Sequence, residues 1–185
     1  MTKRITISTL DAMKASGDKF VMITAYDATF ARLASEAGAE TILVGDSLGM
    51  VLQGHETTIP VSLDAMAYHT ECVARARPHS LIVADLPFMS FSNSDDTLHA
   101  STRLMQAGAQ MVKLEGGTWL SDSIHRLVER GVPVCAHLGL TPQSVNVFGG
   151  YRVQGRTPKE AKSILADAVE IQDAGASLLV LECIP

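Results

Sequence analysis

The sequence predicts an α/β fold built on parallel strands, and three observations carry that prediction. Six short runs rich in Val, Ile and Leu recur along the 185 residues, with helical text between them. The runs lack the apolar–polar alternation of a half-solvated strand, which is how strands covered on both faces read. Strand–helix alternation of this kind implies parallel neighbours joined by right-handed crossovers. A closed eight-stranded barrel typically takes about 250 residues. Six units therefore fit either three-quarters of a barrel or a complete open sheet.

The elements follow in order. "FVMITAY" (20–26) is the first run, and residues 27–38 then place Phe30, Leu33 and Ala34 on one helical stripe before Gly38. "ETILVGD" (40–46) is the second run, followed by a longer helical pattern over 61–77 that ends near Pro78. "SLIVADL" (80–86) precedes a helix over 95–107 that opens at Ser94 or Asp95 and closes at Gly108. "AQMVKLEG" (109–116) leads into "GGTWLSDSIHRLVERG", which stops at Gly131. "VPVCAHLG" (132–139) is the fifth run. The irregular stretch 139–157 after it, with its several glycines, reads as a loop on the active side. "TPKEAKSILADAVEIQDAG" is the clearest helix: Thr157 caps it, Pro158 suits its first turn, Glu160 completes a capping box and Gly175 ends it. "ASLLVLE" (176–182) is the sixth run. "AGA" at 37–39, 107–109 and 174–176 marks each hand-over from helix to strand.

Composition narrows the function classes. With 46% hydrophobic and 19% charged residues the chain can bury a sizeable core, and we read 1–185 as a single domain. A formal charge of −5 gives no electrostatic footprint for nucleic acid, and no aromatic ladder offers a stacking platform. The first twenty residues lack the apolar run of a signal peptide, and no uncharged stretch approaches the ~20 residues of a membrane span. Cys72, Cys135 and Cys183 are odd in number, widely spaced and mostly beside apolar neighbours, as reduced core cysteines of a cytoplasmic chain would be. "GGYRVQG" (149–155) lacks the Gly-Lys-Ser/Thr ending of a phosphate loop.

The charges are more informative. Asp27, Asp46, Asp85, Glu115 and Glu182 stand at carboxyl ends of the runs, and His137 closes the fifth. In parallel α/β folds those ends converge on the rim where ligands bind. Carboxylates gathered there repel one another unless protons or a cation intervene. An all-oxygen donor set suits a hard divalent ion such as Mg²⁺, which keeps part of its water. Asp27 and Asp95 also suit helix caps. Asp85 and Glu182 have no helix immediately after them to cap, and Asp46 sits behind a glycine with the Ser47 hydroxyl beside it. Lys113 and Glu115 share one strand face with alpha carbons roughly 6–7 Å apart. Pointing inward, Glu115 reaches a metal and Lys113 meets an anionic ligand, while Val112 and Leu114 turn toward the covering helices.

"TAYDATFARLASEAG", "VGDSLGMVLQGHETTIPV", "ADLPFMSF", "VKLEGG", "CAHLGLTPQSVNVFGGYRVQGR" and "LLVLECIP" together resemble the ketopantoate hydroxymethyltransferase family, from about residue 4 to the last. The resemblance implies a (β/α)8 TIM barrel related to the phosphoenolpyruvate/pyruvate-binding enzymes, here truncated after the sixth strand, with strands seven and eight absent. It implies transfer of a one-carbon unit from 5,10-methylenetetrahydrofolate to 3-methyl-2-oxobutanoate, giving 2-dehydropantoate for pantothenate synthesis, through an enolate stabilised by one Mg²⁺ per subunit. It places magnesium ligands on Asp46, Asp85 and Glu115, substrate contacts on Asp46, Ser47, Asp85, Lys113 and His137, and the proton acceptor on Glu182. It also implies a homo-oligomer, a decamer in bacterial members.

The chemistry asks Glu182 to take the C3 proton with a raised pKa, which desolvation on the rim would supply. A Schiff base on Lys113 is the rival way to activate the ketone. Two alternatives stand beside it: a 2-oxoacid lyase or mutase using the same Mg²⁺–enolate site, against which the missing catalytic-loop cysteine motif of that class and the match to "HLGLTPQSVNVFGGYRVQGR" both count, and an inactive truncated subunit. A chain ending after strand six is also expected to expose that strand's inner face and its unpaired flank.

Overall fold

A computed structural model describes residues 4–185. Six strands lie parallel in chain order: β1 (Met22–Thr24), β2 (Thr41–Val44), β3 (Leu81–Asp85), β4 (Met111–Glu115), β5 (Val134–Gly139) and β6 (Leu178–Glu182). Each pairs with the next in the sequence, leaving β1 and β6 at the edges. This strictly consecutive winding is the wall of a (β/α)8 barrel, and no strand reverses the order as it does in doubly wound open sheets.

The two faces of the wall carry different residues. Leu81, Val83, Met111 and Cys135 form one buried cluster, against which Met22, Leu43, Leu178 and Val180 pack from the other strands. Ile42, Val44, Ile82, Ala84, Val112, Leu114, Val134, Ala136 and Leu138 belong to a second, larger cluster shared with the helices. Alternation along β4 therefore sets Lys113 and Glu115 on the inner face with Met111, as their spacing predicts.

Helices α2 (Ala28–Glu36), α4 (Leu63–Arg75), α5 (Ser94–Gln106), α6 (Ser121–Glu129) and α8 (Pro158–Asp173) follow strands as predicted. Thr157 and Glu160 form the expected capping box. In each "AGA" segment the glycine (Gly38, Gly108 and Gly175) takes a left-handed φ where the chain leaves its helix. Two short helices, α3 (Leu48–Val51) and α7 (Val145–Phe148), sit in the connections, and a 3₁₀ turn over Pro142–Ser144 precedes α7. The stretch 139–157 is thus partly structured.

Several readings are corrected. On α2 the buried residues are Ala31 and Ala34, while Phe30 and Leu33 are 64% and 55% exposed. Small side chains let α2 lie close to its neighbours, which turns the large ones outward. For Asp27 the structure selects the cap among the readings its position allowed: it accepts from the backbone N–H groups of Thr29 and Phe30. Asn93 caps α5, leaving Asp95 exposed and paired with Arg126 at 2.9 Å. Helix α1 (Ile7–Ser16) was not read from the sequence; Leu10 is its buried residue, so it offers little amphipathic pattern. Ile5 and Ile7, at its start, close the inner cluster from the end of the barrel opposite the acidic rim. Of the cysteines only Cys135 is fully buried, and Cys183 is exposed. On β6 it is the outward Leu179 and Leu181 that are exposed, at 38% and 48%, whereas the inward Leu178 and Val180 are half-buried.

Candidate active site

The inner face of the wall ends in charge. Continuing each inner row toward its carboxyl end replaces apolar side chains with Asp85, Lys113, Glu115, His137 and Glu182. Register brings them together, because Asp85 pairs with Lys113 across β3–β4 and Glu115 with His137 across β4–β5. Asp46 follows β2 by two residues, and its backbone N–H donates to Asp85 Oδ2 at 3.0 Å. Gly45 makes room for this: a Cβ there would stand 3.1 Å from Ser47 Oγ and 3.4 Å from Asp85 Oδ2. All seven sequence-predicted site residues thus meet at one end of the sheet.

Lys113 is the hub. Its Nζ lies 2.5 Å from Asp85 Oδ1, 3.7 Å from Glu115 Oε1 and 3.2 Å from His137 Nδ1. Burial works against its charge, but Asp85 and Glu115 outweigh burial and hold the ammonium protonated. A protonated amine is no nucleophile, which counts against the Schiff-base alternative. His137 Nδ1 is also 3.4 Å from Glu115 Oε1, and its Nε2 is 3.3 Å from Glu182 Oε2. The chain of contacts from Asp85 to Glu182 is therefore continuous.

The carboxylates differ in environment. Burial, then the charges of Asp85 and Glu115, push the Asp46 carboxyl up to about 7. Asp85 is raised as well, chiefly by burial. For Glu115 burial is outweighed by the His137 hydrogen bond and the Lys113 charge, which hold its carboxyl below the ordinary range. Glu182 departs from expectation. Its side chain is 41% exposed, so this rim does not supply the desolvation anticipated for it.

Two contributors escaped the sequence reading. Gln143, buried on the 3₁₀ turn after β5, donates its side-chain amide to Asp46 Oδ2 at 2.8 Å and to the Leu86 carbonyl at 2.9 Å. Its backbone N–H donates to Glu115 Oε2 at 3.0 Å. Tyr26 hydrogen-bonds Ser47 through the two hydroxyls at 2.8 Å. The sequence marks this loop as active-side, but a single Gln in "LTPQS" carries no sign of which carboxylate it meets.

A family sequence model described as "Ketopantoate hydroxymethyltransferase" matches residues 4–185. The chain belongs to that family. Among curated relatives it is 59% identical over 181 residues to 3-methyl-2-oxobutanoate hydroxymethyltransferase 2 of Pseudomonas aeruginosa, covering 98% of this chain and 68% of that protein. It is 60% identical over 181 residues to the 3-methyl-2-oxobutanoate hydroxymethyltransferase of Burkholderia vietnamiensis, covering 98% and 67%. Among solved structures, phosphonopyruvate hydrolase in complex with oxalate and Mg++ matches at TM-score 0.72 and 16% identity, covering 95% of this chain and 62% of that one. A 2,3-dimethylmalate lyase of the PEP mutase/isocitrate lyase superfamily matches at 0.66 and 17%, covering 95% and 63%. At those identities the structural matches establish the barrel fold alone. The chain spans about two-thirds of the length of the curated relatives it matches. Among the described residues of this family member, no helix is long and apolar enough to cross a membrane.

The donor set fits a hard cation. Asp46, Asp85 and Glu115 are all buried, and one ammonium offsets three carboxylates. Among the described residues no three His, Cys, Asp or Glu groups form a ready-made metal cage. The fit therefore rests on the buried oxygen donors and their surplus negative charge, the donor type a hard ion such as Mg²⁺ takes.

A pH prediction follows from Asp46. Its folded-state pKa of about 7 lies above the ordinary 3.8, so the folded protein binds the proton more tightly than the unfolded chain does. The contribution is complete below the ordinary value and is lost as pH rises through about 7. Thermal melts without divalent cations are expected to show this decline, and Asp46→Asn is expected to remove it. Identical pH profiles for the two proteins would contradict the assignment.

Proposed function

We propose that this chain is a 3-methyl-2-oxobutanoate hydroxymethyltransferase that moves a one-carbon unit from 5,10-methylenetetrahydrofolate to its 2-oxoacid. The observation that carries the reading is the buried Asp46–Asp85–Lys113–Glu115 cluster in a family member 55% to 60% identical to curated enzymes of that name. Asp46, Asp85 and Glu115 would hold Mg²⁺, a hard ion that their buried oxygen donors suit. Bound there, the ion would supply Lewis-acid polarisation of the 2-oxoacid.

The chain's own residues do the rest. Lys113, fixed as an ammonium, offsets negative charge as it develops on the ketone oxygen. Ser47, oriented by Tyr26, offers a hydroxyl to the substrate carboxylate. Glu182 stands at the open side of the cluster, its Oε2 3.3 Å from His137 Nε2, and accepts the C3 proton. The resulting C3 nucleophile bonds to the methylene carbon of the folate. That carbon loses its two C–N bonds to the folate and gains one bond to C3 and one to the oxygen of a water, and tetrahydrofolate leaves carrying two protons, one from that water and one matching the proton taken from C3.

One Mg²⁺ per subunit, the folate donor, a homo-oligomer of the bacterial decamer type, a cytoplasmic setting and a single 1–185 barrel domain belong to the same proposal and rest on family membership. The lyase or mutase alternative is not favoured, because its structural relatives share only the fold.

Deuterium exchange at C3 of 3-methyl-2-oxobutanoate in D₂O, with Mg²⁺ and without folate, tests the reading. The expected result is exchange that depends on Mg²⁺. A rate equal to buffer, with keto acid shown to be bound, would support the inactive truncated subunit instead.

A further inference from the structure

We infer that Gln143 is a positioning residue for the cation site: it ties the acidic groups of β2 and β4 to the loop after β5 and sets the affinity for the divalent ion. The inference rests on the functional reading above. Three contacts from one buried residue support it. The amide nitrogen has two hydrogens and meets two acceptors, Asp46 Oδ2 at 2.8 Å and the Leu86 carbonyl at 2.9 Å. The backbone N–H meets Glu115 Oε2 at 3.0 Å. The acidic groups of two separate strand ends are therefore oriented by one residue, and the Leu86 carbonyl anchors that residue over the end of β3.

The side-chain type matters as much as its place. A Lys or Arg at this position would add positive charge among Asp46, Asp85 and Glu115 and compete with a cation. A Glu would set acceptors against two acceptors. An amide supplies donors without charge, which fixes Asp46 while leaving the surplus negative charge for a divalent ion. Groups that orient metal ligands typically change affinity ~10–100-fold when removed.

The turn adds a second consequence. Gln143 belongs to the 3₁₀ segment Pro142–Ser144 that leads directly into α7, so its contact to Asp46 joins that loop to the acidic end of the sheet.

The test uses the 185-residue chain with Mg²⁺ alone, following the rise in melting temperature with Mg²⁺ concentration for parent, Gln143→Ala and Gln143→Glu. For Gln143→Ala the half-saturating Mg²⁺ is expected to rise about 10-fold or more, with the saturated melting temperature approaching that of the parent. Gln143→Glu is expected to lose stability without Mg²⁺ and to recover more of it on adding the ion than Gln143→Ala does. A folded Gln143→Ala with the parent's Mg²⁺ response would overturn the inference and leave Gln143 as packing. A parent with no Mg²⁺ response at all would instead overturn the cation reading, and this inference with it.

Discussion

Glu182→Gln is expected to stop Mg²⁺-dependent C3 exchange while leaving keto acid binding within a few-fold of the parent. The amide keeps the shape and a hydrogen-bonding atom near His137 Nε2 but cannot take a proton. General-base removal of this kind typically costs ~10²–10⁴-fold in rate. Because Glu182 is half-exposed while the Asp85–Lys113–Glu115 group is buried, the substitution leaves the charged core of the site intact and is not expected to lower stability much. Exchange by Glu182→Gln at the parental rate would assign the proton transfer to another group.

The second large effect is at Lys113. Replacing it with Met removes the ammonium from a site where Asp85 and Glu115 are both almost fully enclosed. Removing one partner of a buried charge group commonly costs about 3–5 kcal/mol, because the remaining charge is left uncompensated. The loss is expected to be largest near neutral pH. It should shrink in acid, since the raised Asp85 takes up a proton readily and Asp46 does so below about 7. Mg²⁺ should restore part of it by supplying the missing positive charge. Urea denaturation at pH 5 and pH 8, with and without Mg²⁺, checks all three. A loss under 1 kcal/mol, or one that ignores pH, would show that Lys113 does not hold the carboxylates together.

Much of this site was legible before any coordinates. Lys113 and Glu115 stood out because two charges in a strand buried on both faces must look into something that needs them, and the inner face of β4 carries both. Asp46, Asp85, His137 and Glu182 followed from their place at strand ends. What the sequence withheld were relations between distant residues. Gln143 meets Asp46 across 97 positions, and nothing local distinguishes it from any other loop Gln. Burial was similarly elusive. Phe30 and Leu33 fit a helical period but face outward, because close packing favoured Ala31 and Ala34. Glu182 was expected to be desolvated like its neighbours, yet it sits on the edge strand β6, where fewer elements enclose it. Helix α1 carried a capping signal at Thr6 and Thr9 and a left-handed Gly17, but almost no buried face to announce it.

The sheet, wound in strict chain order, brings acidic groups from β2, β3 and β4 to one end, and Lys113 and Gln143 hold them facing one another. The central claim is that a single divalent cation sits among Asp46, Asp85 and Glu115 and takes two oxygens from the keto acid. An anomalous difference map from crystals grown with Mn²⁺ and 3-methyl-2-oxobutanoate tests it most directly. The account predicts one strong peak among those three carboxylates, with the carboxylate and ketone oxygens of the keto acid both in contact with it. A keto acid bound elsewhere, or bound here beside Lys113 with no metal peak, would contradict it.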